Sequence, residues 1–253
     1  MIISIGQFQL FFLVLTRVLA ILIQVPVFGG TMIPNQVKLA LGVILSLIVI
    51  PWQPMTSEIV VMPLLSFVFA ISRELIIGVL AGFAGTLTFG AFQVAGKLMD
   101  MSSGFGAGQI FNPAMGDTGS AMDQLFTLVA LLFFLITNGH HTFLLGLQKT
   151  FMVLPVNMPL PDLAPARLLQ MTAGFILIGV QLSLPVVGAL LLTDLTLGML
   201  AKVAPQVNVF FLGLPIKVWV GVMGLMLVFS SVVPIMGDMF DNLGNRMLEI
   251  LGV

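Results

Sequence analysis

The sequence predicts an all-α, membrane-associated protein of about six long, partly broken hydrophobic helices arranged in hairpins. Hydrophobic residues make up 59% of its 253 positions, charged residues only 8%, and the mean hydropathy is +1.18. Soluble domains carry about a quarter charged residues, and a membrane-spanning helix needs about 20 apolar residues. Apolar runs of this length recur along the sequence, so we expect a polytopic membrane protein or a component of a membrane-embedded assembly.

Charge and cysteine content exclude several classes of site and partner. The chain has no cysteine, which excludes disulfides and thiolate metal sites. Its net charge is −1 and its nine lysines and arginines are scattered singly, so we expect no nucleic-acid partner. The first positive charge, Arg17, lies inside the first apolar run, which predicts a retained helix and not a cleaved signal peptide.

Three apolar runs precede a glycine-rich stretch. The first predicts a helix over residues 8–28 that breaks at VPVFGG, and the second predicts a helix over 37–52 that ends where two prolines occur. The third run, 59–99, is too long for one straight span. It predicts a helix that is broken or that extends beyond the membrane.

Three further runs follow the glycine-rich stretch. Residues 124–148 contain no Lys, Arg, Asp or Glu, and the proline-rich connection at 154–167 is the best candidate for an internal boundary. The fifth run covers 168–193 and continues towards Lys202, and the sixth covers 218–237. Lysines and arginines do not cluster in particular loops, so they give little indication of orientation.

The tail is predicted to form an amphipathic helix. Its apolar side chains fall on one helical face: Phe240, Leu243, Met247 and Leu251. Its polar side chains lie away from that face: Asp241, Asn245 and Glu249. Such a helix should lie on an interface or against a partner.

Four ionisable residues lie inside apolar runs: Arg17, Arg73, Glu74 and Asp194. A charged side chain in a membrane costs roughly 3 kcal/mol on insertion scales unless it is paired or hydrated. The neighbours Arg73 and Glu74 point to different sides of a helix and should pair with different groups. Two explanations stay open: a proton or ion path, and buried pairing that locks helices or subunits together. The second is favoured.

Small residues in the third run have the spacing that lets helices pack closely: Gly78, Ala81, Gly82 and Gly85. Ordinary helix packing explains them, with a partner in this chain or in another subunit. The two histidines, His140 and His141, are adjacent and follow TNG, which places them at a helix end and favours no metal site.

Residues 104–122, GFGAGQIFNPAMGDTGSAM, contain fragments of three known motifs. GFGAG resembles part of a dinucleotide fingerprint, but the segment before it is membrane-like and not a β-strand. NPA matches a water-channel motif that requires two copies, and DTGS matches an aspartic-protease signature that requires a second carboxylate. Each occurs once here, so none predicts its usual function.

The same stretch combines glycines with bulky apolar side chains: Phe105, Ile110, Phe111, Met115 and Met122. Glycine gives the backbone conformational freedom, and methionine adapts to irregular gaps. Irregular backbone at membrane depth must be enclosed by protein or line a cavity. The stretch is therefore predicted to obstruct a lumen, with an ordinary connection outside the membrane as the alternative.

Several parts of the chain resemble the FliR family of flagellar export-gate proteins, whose injectisome relatives are known as SctT. LAKVAPQVNVFFLGLPIKVWVG at 200–221 resembles the signature of the family. Further similarity lies in TRVLAILIQVPVFGGTMIPNQVKLAL near the start, in RELIIGVLAGFAGTLTFGAFQVAGKLMDMSSGFG before the glycine-rich stretch, and in NPAMGDTGSAMDQL within it. NVFFLGLPIKVWVG is more similar to the flagellar branch.

The resemblance implies type III secretion, with no catalysis and no cofactor. One copy of the chain would join FliP-like and FliQ-like subunits in a helical gate through which unfolded proteins pass. FlhB-like and FlhA-like export components and membrane lipid are its other expected partners, and its location would be the bacterial inner membrane and the flagellar basal body. Residues 1–160 would form a FliP-like four-helix part, and 161–253 a FliQ-like hairpin with the amphipathic tail.

The resemblance also implies that residues 104–122 plug the pore, with Phe111 and Met115 obstructing the lumen. The plug residues are Gly104, Phe105, Gly106, Gly108, Ile110, Phe111, Asn112, Pro113, Met115, Gly116 and Met122. The charges assigned to burial or assembly are Arg17, Arg73, Glu74, Asp194 and Lys202, and the helix-packing glycines are Gly78, Gly82 and Gly85.

Two functions from other classes are the alternatives. A secondary transporter or channel for small solutes or ions would use Arg73, Glu74 and Asp194 as its ion path. An intramembrane protease would depend on Asp117.

Overall fold

The computed structural model describes residues 4–30, 33–52, 61–104, 121–156, 158–161 and 165–252. Every regular element within these ranges is helical, which confirms the predicted all-α class. The α-helices are α1 (Ile5–Gln24), α2 (Pro26–Gly29), α3 (Asn35–Val49), α4 (Leu64–Ser103), α5 (Ala121–Ile136), α6 (Gly139–Val153), α7 (Pro165–Val203), α8 (Val209–Asp241) and α9 (Leu243–Leu251). A 3-10 turn, Ile50–Trp52, follows α3.

Among the described residues, four helices are long and apolar enough to cross a membrane, and α5 with α6 make a fifth if they are one broken span. The four are α1, α4, α7 and the Val209–Leu227 part of α8. Helix α4 has 40 residues and α7 has 39. At 1.5 Å per residue each is about 60 Å long, roughly twice the ~30 Å hydrocarbon core of a bilayer. The sequence left two possibilities for the third run, a broken helix or one that extends beyond the membrane. Arg73 and Glu74 do not interrupt α4, so the helix is unbroken.

Local sequence signals set several helix ends. Ser4 and Gln7 form a capping box at the start of α1, where the Gln7 amide donates to Ser4 Oγ at 3.2 Å. Pro165 is the first residue of α7, a position where its missing N–H costs nothing. The run over 124–148, expected as one segment, is divided between α5 and α6 because Asn138 adopts a left-handed φ of 57°.

The described residues group into two compact units that interleave along the chain. The first unit comprises Met1–Thr88, Thr137–Gln170 and Phe240–Val253, and the second comprises Phe89–Ile136 and Met171–Met239. The proline-rich connection at 154–167 therefore falls within the first unit. The division into 1–160 and 161–253 that the resemblance implies stays a prediction.

In the first unit, α1 packs against α4 through the small residues of the third run. A Cβ atom placed on Gly78 would lie 2.6 Å from Cβ of Ala20 and 2.8 Å from the carbonyl oxygen of Arg17. A Cβ atom on Gly82 would come similarly close to Gln24 at the end of α1, and one on Gly85 to Val25, the residue after α1. The helix that these glycines accommodate therefore belongs to the same chain.

The terminal helix α9 packs on α6, also within the first unit. A Cβ atom on Gly146 would lie 2.8 Å from Cα of Gly244 and 2.8 Å from the sulfur of Met247, so the two helices meet at a glycine-to-glycine contact. The buried apolar face of α9 consists of Leu243, Met247, Ile250 and Leu251. The predicted amphipathic helix thus lies against α6 of its own chain.

In the second unit, α5 and α7 pack closely on the later part of α4. A Cβ atom on Gly96 would lie 2.7 Å from Cα of Asp123, and one on Gly179 would lie 2.6 Å from the carbonyl oxygen of Ala91. Helix α8 leaves much of its apolar surface uncovered, since only 11% of its membrane-like stretch is buried. Such a surface requires lipid or protein around it.

We predict that Gly78→Ala destabilises the first unit by about 1–3 kcal/mol, because the added methyl group meets backbone and Cβ atoms that cannot rotate away. The midpoint of thermal unfolding in detergent and the amount of chain in membranes would measure the effect. Gly90→Ala in the same helix is the matched control, since its Cβ would meet nothing within 4 Å. Equal unfolding midpoints for the two variants would contradict the proposed packing.

Candidate functional site: a buried ion pair and the anchors of the glycine-rich segment

A buried ion pair joins α1 and α4 in the first unit. The guanidinium Nε of Arg17 donates to Glu74 Oε2 at 2.5 Å, and neither side chain has exposed surface. Glu74 lies one turn before Gly78, where the two helices come close. The close approach and the ion pair therefore occur at the same helix crossing.

The same arginine also caps the C-terminal end of α6. Its Nη1 donates to the carbonyl oxygens of Leu154 at 2.6 Å and Thr150 at 3.1 Å, and its Cζ lies 4.4 Å from the centre of the Phe151 ring. The Thr150 carbonyl oxygen also accepts from the backbone N–H of Leu154 at 3.0 Å, whereas carbonyls at the very end of a helix have no partner within that helix. One planar, multidentate guanidinium thus holds α1, α4 and α6 together.

A second ion pair joins α7 and α8 in the second unit. Lys217 Nζ contacts Asp194 Oδ1, and the side chains are 22% and 44% exposed. They line a concavity of about 300 Å³ with Gly198 and Gly213. Exposed neighbours on the two helices are large and apolar: Leu191, Leu192, Leu195, Phe210 and Phe211. The pair is therefore a polar spot on an apolar face.

The five predicted charges thus occupy different environments. Arg17 and Glu74 pair with each other, whereas Asp194 pairs with Lys217, which was not among the predicted site residues. Arg73 is half-buried at the helical position before Glu74, and Lys202 is exposed near the end of α7. Lys217 could have been noticed in the sequence because it interrupts the apolar stretch GLPIKVWVG.

Two of the predicted plug residues are described, and they anchor the segment between them. Gly104 ends α4 with φ of 80°, and its amide donates to the Asp100 carbonyl oxygen at 3.1 Å. Met122 is buried in the first turn of α5. The other predicted plug residues lie outside the described residues: Phe105, Gly106, Gly108, Ile110, Phe111, Asn112, Pro113, Met115 and Gly116.

An apolar groove runs between α5 and α8, and Met122 is part of its wall. Its volume is about 410 Å³, and its walls include Met122, Phe126 and Val129 on α5 and Val222, Met226 and Phe229 on α8. The spacing of the α5 residues is that of one helical face, which in the sequence is indistinguishable from an ordinary core stripe. Sequence reasoning therefore did not identify this groove.

The described residues offer no metal centre. Among them, no three His, Asp or Glu side chains come together in a way that could hold an ion. His140 and His141 lie in the first turn of α6, at the helix end where the sequence placed them.

Comparison with known proteins finds similarity over nearly the whole chain. The model of the family described as "Bacterial export proteins, family 1" matches residues 8–243. The "Flagellar biosynthetic protein FliR" of Pectobacterium carotovorum subsp. carotovorum is 32% identical, over 95% of this chain and 92% of that protein. The FliR proteins of Bacillus subtilis (strain 168) and Escherichia coli (strain K12) are each 29% identical, over 98% and 96% of this chain and 97% and 93% of their own lengths.

We predict that Glu74→Gln lowers the free energy of unfolding by about 3–5 kcal/mol, because it leaves a buried arginine that cannot lose its proton. The double variant Arg17→Gln with Glu74→Gln should recover part of that loss, since it removes both charges. Thermal unfolding of the four members of this double-mutant cycle in detergent would measure the coupling.

Asp194→Asn serves as the control for a partly exposed pair and should cost less than about 1 kcal/mol. A Glu74→Gln variant that unfolds at the wild-type midpoint would contradict a structural role for the Arg17 pair.

Proposed function

Because the chain belongs to the FliR family of bacterial export proteins, we propose that it is a subunit of the flagellar type III protein export gate. It forms with FliP-like and FliQ-like subunits the pore for unfolded flagellar proteins, and residues 104–122 plug that pore. FlhB-like and FlhA-like components work beside it in the export apparatus. The gate lies in the bacterial inner membrane within the flagellar basal body, and this chain catalyses no reaction.

The length of the chain between Gly104 and Met122 is the main observation that supports a plug. Gly96 on α4 lies against Asp123 on α5, and Gly104 follows Gly96 by about 12 Å along the helix at 1.5 Å per residue. Residues 105–120 could span more than about 50 Å when extended. Connections longer than about 12–15 residues inside compact domains are uncommon and usually functional. The excess length supports a segment that reaches away from its anchors.

The composition of residues 105–120 suits a segment that seals a pore. Residues 105–120 carry four large apolar side chains, Phe105, Ile110, Phe111 and Met115, among several glycines. Apolar side chains exclude water and ions without forming directed contacts, and glycines let the backbone adopt conformations that other residues resist. Such a segment would block small ions without recognising the sequence of an exported chain.

The uncovered apolar surface supports a place in a membrane-embedded assembly. Helix α8 exposes Phe211, Trp219 and Leu227, each with more than 60% of its surface accessible. A surface of this kind is stable only against lipid or other subunits. A gate subunit is surrounded by lipid and by other subunits, so the proposed partners would cover the apolar side chains that α8 exposes.

The alternative of a small-solute or ion transporter has less support. It requires Glu74 on a hydrated path, but this carboxylate is fully buried and is engaged by Arg17. Asp194 is engaged by Lys217. The ion pairs explain why Glu74 and Asp194 occur in apolar helices, and no transported ion is needed to explain them.

We predict that deleting Ile110–Ala114 in the native host increases small-ion leakage across the inner membrane while export of flagellar subunits continues. The deletion removes two large apolar side chains and shortens the proposed plug. Leakage would be followed with an ion-sensitive dye, and export by the amount of flagellar protein outside the cells.

Replacing the same five residues with glycine and serine keeps the length of the segment and tests its apolar side chains alone. The amount of chain in the membrane is the control for expression. Unchanged leakage in both variants would mean that the seal lies elsewhere and that 104–122 is only a connection.

A further inference from the structure

Helix α7 has an inward face that packs on its own chain and an outward face that does not. On the inward side, Gly179 lies against Ala91 of α4 and Val186 lies against Gly224 of α8. The outward face of α7 consists of residues spaced alternately by three and four positions, namely Gly174, Leu177, Gln181, Leu184, Gly188 and Leu191. Its three leucines are each 56–57% exposed. This spacing is the one along which two helices pack side by side at a shallow angle.

Gln181 places an amide in the middle of this apolar face. Its side chain is exposed, and within the part of the chain that the structure describes it forms no hydrogen bond. The run 168–193 around it has no charged side chain, and either end of that run is about 18–20 Å away at 1.5 Å per residue. Half of a bilayer's hydrocarbon core is only about 15 Å. With this run in the membrane, the amide lies near the midplane, away from water and headgroups.

Pro185 leaves a second polar group without its usual partner at the same turn. Proline has no N–H, so the carbonyl oxygen of Gln181 lacks the donor that it would have in a regular α-helix. Ser183, the nearest hydroxyl in α7, donates instead to the Val180 carbonyl oxygen at 2.8 Å. Backbone groups freed by proline inside a membrane are satisfied by neighbouring helices, polar side chains or water. The turn at Gln181 therefore needs a hydrogen-bond donor from outside α7.

Two glycines make room for that donor. Gly174 and Gly188 lie seven positions before and after Gln181, and a Cβ atom on either would meet nothing within 4 Å. Small residues let a second helix backbone come close, and amide or hydroxyl side chains then hydrogen-bond between the helices. Lipid tails would cover the leucines equally well, but they cannot donate to Gln181, and an unsatisfied amide in an apolar medium is costly. A protein helix satisfies both requirements.

We propose that the outward face of α7 binds a membrane-spanning helix of another subunit, and that this helix presents an amide or hydroxyl side chain to Gln181. A single polar residue in an otherwise apolar packing face fixes the register of the two helices, so Gln181 sets the height at which the partner docks. The inference rests on the proposed function, because it identifies one surface through which the chain joins a membrane-embedded assembly.

Photocrosslinking would test the surface in membranes that contain the assembled export apparatus. The photoreactive residue p-benzoylphenylalanine would replace Leu177, and adducts formed on irradiation would be identified by mass spectrometry. Ile176 is the matched control, since it is the preceding residue, is 49% exposed against 56% for Leu177, and points about 100° away around the helix.

We expect at least a fivefold excess of the adduct with another subunit at position 177 over position 176. Equal yields at the two positions, adducts at 177 with lipid alone, or no adduct with a protein at either position would overturn the proposal. Leu184 replaces Leu177 as the labelled position if the first variant does not accumulate.

Variants of Gln181 test the hydrogen bond separately from the apolar contact. Gln181→Leu should lower the yield of the adduct at 177 at least threefold, because leucine has a similar size but no hydrogen-bonding group. Gln181→Asn keeps an amide and should retain more of the adduct than Gln181→Leu does. Equal amounts of the chain in the membrane would show that its own fold is intact. An unchanged adduct in Gln181→Leu would reject the role of the amide.

The identity of the adduct separates this inference from the proposed function. Normal export of flagellar protein with no preferred adduct at position 177 would retain the proposed function and reject the surface. A preferred adduct with a membrane protein outside the export apparatus would retain the surface and reject the proposed function.

Discussion

A permanently charged guanidinium with no exposed surface is the constraint on which the first unit depends. Arg17 cannot become neutral under ordinary conditions, so its burial requires partners for its charge and its N–H groups. Glu74 supplies the charge and the end of α6 supplies carbonyl oxygens. Few arrangements of three helices satisfy all these contacts together. Buried ion pairs often add little net stability compared with apolar packing, so we interpret this one mainly as a device that specifies how α1, α4 and α6 meet.

The second unit relies on a different principle. Its helices approach closely where glycines remove side chains, as at Gly96 and Gly179, and aromatic side chains fill the space between them. Phe89 and Phe134 pack edge to face with centroids 5.6 Å apart, and Phe133 packs in the same way on Phe229. Apolar packing specifies position less strictly than an ion pair. It suits a unit that carries an open apolar groove and a long connecting segment.

The sequence predicted much of the fold and less of the site. The all-α class, the helix-packing glycines and the amphipathic tail follow from composition and helical spacing, which are local properties. The partners of Arg17 do not, because they lie 57 to 137 positions away and the sequence carries no record of which distant segments meet. The break at Asn138 was indicated only by the polar TNG before the histidines, because 124–148 contains no ionised side chain or proline to divide it into two helices. The groove was missed because a stripe buried in the core and the wall of a concavity have the same helical periodicity.

The interleaving of the two units has a consequence for biogenesis. Helix α1 emerges from the ribosome long before α6, so Arg17 waits for more than a hundred residues before the carbonyl oxygens of Thr150 and Leu154 exist. Glu74 is made 57 positions after Arg17 and can balance its charge before α6 exists. The last contact of the first unit forms later still, when α9 is translated and docks on α6. A fusion or tag placed directly after α9 is therefore attached to the same unit as α1, the helix that is made first.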